Sequence, residues 1–410
     1  MKRTTLITLI AQIYVSVMIS QTVNTGDLIV TQGTILSITE DLNNTSTGTL
    51  INNGDVYAYS HWNNNGVVDH DGNGIIRFLG NVPQAITGDN VSYFYDVLFD
   101  NETVDTAFEL SGEVSIANEV DFDNGIVDTE NLGGSIIFEQ FADHIHTTDI
   151  SHVNGRVIKI GDNSFNFPIG DEGLYRFAEI SAPDDNDDIF TGKYFFENPD
   201  TNYPLESRSA NIELINNQEY WLINRDAGSS TILLTLSWEE GTTTPVTLVE
   251  NPQTALCIVR WDEEEQIWRY EGGLVDPLNK TVTTPIVLEK YGVFTLARKI
   301  EEITLPGDIF VNNGITPNGD GVNDYFHIDN IENVANNKVR VFNRWGAEVF
   351  SAYDYSNDIN AFKGYSDGDL TIGNGLLPTG TYYYTLEYDY TNNGSTQRVE
   401  QAGWLYLKTD

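Results

Sequence analysis

The chain has 410 residues, 40% of them hydrophobic and 20% charged, with a formal net charge of −40 and a sequence pI near 4.1. That length accommodates two to four domains at roughly 100–200 residues each, and the composition is that of a globular chain rather than a disordered one. Contacts to phosphates need Lys and Arg, so such acidity argues against nucleic acid and anionic membranes as partners, while it favours solubility and attracts cations.

Residues 1–20 read as a signal peptide. Lys2 and Arg3 give a positive start, and Leu6 to Ile19 is a mostly apolar run too short to span a bilayer. Cleavage is expected near Ser20–Gln21, although Met18 is not the small residue usual upstream of such a site. No cysteine follows the run, so a lipid anchor is not expected there, and no later segment has the length and apolarity of a transmembrane helix. The expectation is export through the inner membrane, and a mature chain that is soluble or held by something else.

Beyond that point helical periodicity is scarce and period-2 alternation is common, with Gly, Asn, Asp and Thr as punctuation. The predicted class is all-β. Over 21–165, short apolar strands alternate with Asn-Gly turns. Asn52-Asn53-Gly54 in "LINNGDVYAY" returns twelve residues later as Asn64-Asn65-Gly66, and "VDFDNGIVDT" (Val120–Thr129) echoes it. Polar turns recurring between β-rich segments suggest a solenoid whose stacked rungs share one core. The period is irregular, and a sandwich of meandering strands is the alternative.

Two segments of this region offer candidate metal ligands. In "DHDGNGIIRFLG", Asp69, Asp71 and Asn73 stand at positions 1, 3 and 5 of an EF-hand-like loop, with Gly74 at 6 and the Ile75 carbonyl at 7. Position 12 is Gly80, where a bidentate Glu belongs, and the flanks are strands. A turn closed by its own Asx side chains is the competing reading. "DHIHTTDISH" (Asp143–His152) holds three of the six histidines. On a strand, His144 and His146 would share a face as zinc ligands do, with His152 returning from the next strand, but spacing fixes no third ligand.

From 166 to 299 the strands lengthen ("EYWLINRD", "STILLTLSWEE", "TALCIVRW", "QIWRYEGG"), and a β-sandwich is expected. "WDEEEQIW" sets Trp261 and Trp268 either side of an acidic turn, with Trp238-Glu239-Glu240 upstream. Trp238, Trp261 and Trp268 are candidate stacking platforms for a sugar, and paired carboxylates can cleave glycosidic bonds. A hairpin with core tryptophans and a solvated acidic tip spells the same letters. The single cysteine, Cys257, excludes an intrachain disulfide and sits in an alternating apolar run, where a buried inert thiol is expected. No nucleophile elbow, P-loop, dinucleotide fingerprint or zincin helix occurs.

"RKIEEITLPGD" supplies an expected linker over 300–308, and a last unit spans 309–410. Its strands are legible. "KVRVFNR" puts Val339 and Val341 on one face; "TYYYTLEY" puts Tyr382, Tyr384, Leu386 and Tyr388 together; "GWLYLK" separates Leu405 and Leu407 from Trp404 and Tyr406. Four motifs follow in order: "TPNGDGVND", "VRVFNRWGAEVF" (Val339–Phe350), "LPTGTYYYTLEY" (Leu377–Tyr388) and "GWLYLK" (Gly403–Lys408). In this order they resemble the gliding motility-associated C-terminal domain, the type B sorting domain of the type IX secretion system. The residues carrying the resemblance are Pro317, Asn318, Gly319, Asp320, Gly321, Asn323, Asp324, Asn343, Arg344, Trp345, Gly346, Gly380, Tyr382 and Gly403. Where the family often has Trp-Asp-Gly, this chain has Phe362-Lys363-Gly364. "FNFPIGDEGLYRFAEIS" (Phe165–Ser181) also resembles a segment common in cargo of that system.

The resemblance implies an Ig-like sandwich that the secretion machinery recognises at the outer membrane, followed by release or retention at the cell surface. Within its first motif Asn318, Asp320 and Asp324 also offer hard oxygen ligands for calcium, against the simpler reading of a self-capped turn with no downstream bidentate Glu. The passenger, 21–299, is read as a non-catalytic adhesin or surface-layer module linked to gliding or attachment, with surface glycans or neighbouring cells as candidate partners. The alternative is a carbohydrate-binding or polysaccharide-degrading passenger.

Overall fold

The structure, a computed structural model, describes residues 20–104, 106–242, 244–300, 309–319, 323–366, 375–392 and 395–409. The expected signal peptide up to residue 19 and most of the expected linker, 301–308, lie outside these. The chain is 54% strand and 3% helical, so it is all-β as expected. Among the described residues no helix is long and apolar enough to cross a membrane.

The first part is a β-solenoid of about seven turns, and the meandering-sandwich alternative is set aside. The rungs stack into three parallel ladders, with a short strand per ladder in the first three rungs and single longer strands, Ser92–Asn101 and Glu113–Asn124, running through the second and third ladders in the next two. Gln21–Asn24, Asp41–Asn44, Trp62–Asn64 and Gln84–Thr87 open the first ladder. Asp27–Val30, Thr49–Asn52 and Val67–Asp69 open the second, and Ile35–Ile38, Asp55–Ala58 and Ile75–Gly80 the third. Leu42 pairs with Trp62, twenty residues on, and Trp62 with Ile86, twenty-four on. In Asp55–Ala58 and Thr49–Asn52 alternate residues are buried, so the period-2 pattern puts one set of side chains inside the tube.

Inside, the rungs are aligned chemically. Ala58, Phe78, Phe99 and Phe122 succeed one another in register, and the rings of Phe78, Phe99 and Phe122 stack at 5.6 and 5.7 Å. Asn24, Asn44 and Asn64 form a second internal column. The Asn24 amide donates to Asn44 Oδ1 (2.9 Å) and the Asn44 amide to Asn64 Oδ1 (2.8 Å), so inward polar side chains satisfy one another.

The three Asn-Gly turns of the sequence mark three different corners of the tube. Asn64-Asn65-Gly66 lies between the first and second faces, Asn52-Asn53-Gly54 between the second and third, and Asn124-Gly125 between the third and first. The twelve-residue interval is therefore the distance between corners, and the repeat is the full rung. A recurring signal at one corner is present in Gly26, Gly48, Gly66, Gly112 and Gly134, each immediately before a second-face strand, with Val91 at that place in the rung between Gly66 and Gly112. At Gly66 a Cβ would lie 2.2 Å from the Gly48 carbonyl, which explains the residue type: successive corners approach too closely for a side chain.

The solenoid runs without a break into the central region. Its strand Val157–Ile160 pairs antiparallel with Ile189–Phe195, which begins a sheet continuing through Tyr220–Ala227, Gly292–Lys299, Leu256–Asp262 and Ile267–Gly272. A five-stranded antiparallel sheet (Phe165–Phe167, Ala178–Ile180, Leu234–Ser237, Thr281–Thr283, Leu274–Asp276) accompanies it. One core cluster reaches from Val30 to Leu296, so the position expected as a boundary, 165/166, lies within a shared core.

The last unit is built on a five-stranded sheet in the order Gly314–Ile315, Ser395–Leu407, Gly380–Asn392, Ala335–Phe342, Glu348–Tyr353. Its inner face carries the residues that alternation selected: Val339, Val341, Tyr384, Leu386, Tyr388, Leu405 and Leu407 are buried, while Tyr406 on the opposite face is exposed. The two-stranded ladder Phe310–Val311 with Ile328–Asp329 contributes Ile328 to this separate core, and Tyr355 and Phe362 come from the segment after the strand Glu348–Tyr353.

Candidate functional site

The motif residues of 309–410 hold turns and close approaches. In the first motif Asp320 and Gly321 lie outside the described residues. Around them the loop closes on itself: the Thr316 N–H donates to the Asn323 carbonyl and the Gly319 N–H to Asp324 Oδ1, both at 2.7 Å. Asn323 takes a positive φ of 54°, which asparagine tolerates well. Asp324 thus acts as a loop cap. Pro317 borders Gly364, whose φ is +77° and whose Cβ would lie 3.4 Å from Pro317 Cγ and 2.9 Å from a Leu407 methyl.

Asn343 organises the second motif. Its Oδ1 accepts the N–H groups of Trp345 and Ala347, both at 3.0 Å, its own N–H donates to the Ala347 carbonyl, and Gly346 closes the turn at φ +78°. Trp345 is 56% exposed at this tip, and the Arg344 guanidinium sits 4.2 Å from its ring centroid. An exposed Trp stacked under Arg is a pairing favoured at protein interfaces.

Gly380 opens the Gly380–Asn392 strand, and the Tyr382 hydroxyl donates to the Pro378 carbonyl at 2.9 Å. Gly403 stands opposite Tyr384 in the register. Phe362 is buried and packs on Phe350 with ring centroids 5.1 Å apart; its N–H donates to the Tyr355 hydroxyl.

Asp69, Asp71 and Asn73 lie at an exposed corner of the third rung. The Asp69 carboxylate accepts the His70 N–H (2.8 Å), and Asp71 exchanges two hydrogen bonds with Asn53 of the rung before (2.7 and 2.8 Å). These are turn and rung-to-rung bonds. Among the described residues no three His, Cys, Asp or Glu side chains are grouped to hold a metal.

The histidines separate. His146 leaves the strand with φ +59° and pairs with Asp121, so it does not share a face with His144. His144 is inserted among Phe122, Phe138 and Phe165, with Nε2 against the Asn166 carbonyl at 2.7 Å. His152 is buried elsewhere, Nδ1 against the Thr148 carbonyl at 3.0 Å. Burial holds both His144 and His152 below the ordinary imidazole range.

Trp238, Trp261 and Trp268 are all buried. Trp261 and Trp268 meet edge to face at 5.6 Å, and Tyr203 covers both. The Trp238 indole donates to Glu240, and Lys280 bridges Glu239 and Glu240 at 2.7 and 2.8 Å. "WDEEEQIW" is a hairpin in which Asp262 Oδ1 accepts the N–H groups of Glu264 and Glu265. Protein already covers the ring faces that a sugar would need. Cys257 is buried too, and burial pushes its thiol up to about 12, the behaviour of an inert thiol.

Sequence reasoning missed Lys159. It is 1% exposed and donates to the carbonyls of Glu139, Gln140 and Ala142 at 2.7–3.0 Å, locking a solenoid corner from within. Its signal was a lysine at an inward position of the alternating "VIKI".

The described parts define a β-solenoid fused to a sandwich-like region and followed by a compact C-terminal β unit. That last unit matches the family model of the CHU_C Type IX secretion signal domain over residues 309–407. Comparison with curated proteins gives no match, and comparison with solved structures gives none either. The chain therefore carries the C-terminal sorting domain of the type IX secretion system. That domain implies interaction with the secretion machinery and export to the cell surface or extracellular space.

Proposed function

We propose that residues 21–299 form a non-catalytic adhesin or surface-layer module, linked to gliding or attachment, which the C-terminal domain delivers to the cell surface. The observation carrying this reading is the regularity of the solenoid's outer faces. Asn43, Asn63 and Thr87 form an external hydrogen-bonded row at 3.0 and 2.9 Å. Asp96, Glu119 and Asp143 succeed one another on another face. Such rows offer the same chemical group once per rung, which suits many weak contacts to a repetitive partner.

In the sorting domain, the Asn343–Gly346 turn with exposed Trp345 and Arg344 is the surface we assign to the machinery. The test of the passenger reading compares attachment of cells displaying the whole protein with cells lacking it, alongside a glycan array probed with the same protein. Loss of attachment without the protein supports the adhesin. Cleavage of a defined polysaccharide, with attachment unchanged, replaces it with the carbohydrate-active alternative.

A further inference from the structure

We infer that the first rung of the solenoid is a self-association surface, at which two copies of this chain join head to head. Gln21–Asn24, Asp27–Val30 and Ile35–Ile38 are end strands, each four residues long and each paired on one side only among the described residues. The carbonyls of Asn24, Val30 and Ile38 accept N–H groups from the second rung. By the alternation of a parallel ladder, the backbone groups of Val23, Ile29 and Ser37 then point away from it and meet no ladder partner among the described residues. Leu28 and Leu36 are only partly buried against the end of the core.

Charge selects the partner. Residues 20–38 contain one charged residue, Asp27, in a chain of net charge −40. Glu40 follows at the next corner, so a second copy approaching this end brings together only Asp27 and Glu40 at the edge of the contact. Geometry selects the arrangement. The far end of the second ladder is closed by the antiparallel strand Ile189–Phe195, so head-to-tail stacking lacks a matching edge. A twofold axis across the tube instead sets Gln21–Asn24 antiparallel to its own copy and Asp27–Val30 against Ile35–Ile38 of the other chain. Equal strand lengths allow this. With Ile29 opposite Ser37 of the second copy, both exchange backbone bonds, and Leu28 and Val30 face its Ile38 and Leu36. The contact is closed, giving dimers rather than filaments.

The test is sedimentation velocity on the chain from residue 20 to 410. The wild type is expected to sediment as a concentration-dependent dimer. Ile29→Asp combined with Ser37→Asp puts like charges directly opposite each other twice per dimer, and is expected to weaken dimerisation roughly tenfold or more. Ile29→Asp combined with Ser37→Lys makes the same pairs attractive and is expected to restore the dimer. Both sites face outward, and an unchanged circular-dichroism melt checks that the fold persists. A wild type that stays monomeric at high concentration overturns the inference. So does a dimer that the first double variant leaves unaffected.

Discussion

The ring of Tyr384 lies across Gly403, its register partner on the neighbouring strand. A Cβ at 403 would come within 2.5 Å of the tyrosine oxygen and 2.6–2.7 Å of two ring carbons. Tyr384 is itself buried against Phe326, at 4.9 Å between ring centroids, so it has no free space into which to retreat. Gly403→Ala is therefore expected to destabilise the C-terminal domain by about 1–3 kcal/mol through overpacking. Denaturant unfolding followed by a probe in that domain checks this, and an unchanged midpoint would show that the ring moves aside.

The internal and external asparagine columns should respond differently. Asn44 is fully buried and bonds Asn24, Asn64 and the Val67 carbonyl, so Asn44→Ala strands several buried polar groups and is expected to cost about 2–4 kcal/mol. Asn43→Ala, one residue away on the outer face, is expected to stay within about 0.5 kcal/mol. Equal midpoints for the two variants in urea unfolding would contradict the assigned register.

Most of the architecture was legible, for a definite reason. Alternation identifies strands because the buried set must share one face, and it selected Val339, Val341, Leu405 and Leu407 correctly. The sorting domain was legible because four motifs occur in order. The rung length was not, because Asn52-Gly54 and Asn64-Gly66 look equivalent yet occupy different corners; the glycine column from Gly26 to Gly134 was the better guide. The tryptophans show the limit of composition. A core hairpin and a sugar platform use the same letters, and only tertiary cover by Tyr203 distinguishes them at Trp261 and Trp268.

Acid should weaken the solenoid through its buried histidines. His152 Nε2 is buried without a partner and the ring is held neutral, so the folded chain resists a proton that the unfolded chain takes up near pH 6.5. The unfolded state then binds more protons, and this contribution to stability falls as pH drops below about 6.5. His144 acts in the same sense. His146, raised by its hydrogen bond to Asp121, acts in the opposite sense. Neutralisation of surface carboxylates affects all variants alike, so the readout is a difference: His152→Gln should lose less stability than the wild type between about pH 7 and 5. Parallel pH profiles would contradict this role.

Trp345 separates recognition from stability. Its ring is half exposed, so Trp345→Ala is expected to change the unfolding free energy by less than about 0.5 kcal/mol. The same change is expected to lower the amount of protein reaching the surface. Normal export of the variant would move the recognition surface elsewhere on the domain.

The central claim is that residues 309–410 direct delivery. The direct measurement is cell fractionation of a strain producing the chain truncated after residue 308, beside the full chain. The full chain should appear at the cell surface or in the medium, and the truncated chain should accumulate inside the outer membrane. A truncated chain that reaches the surface in the same amount as the full chain would contradict the account.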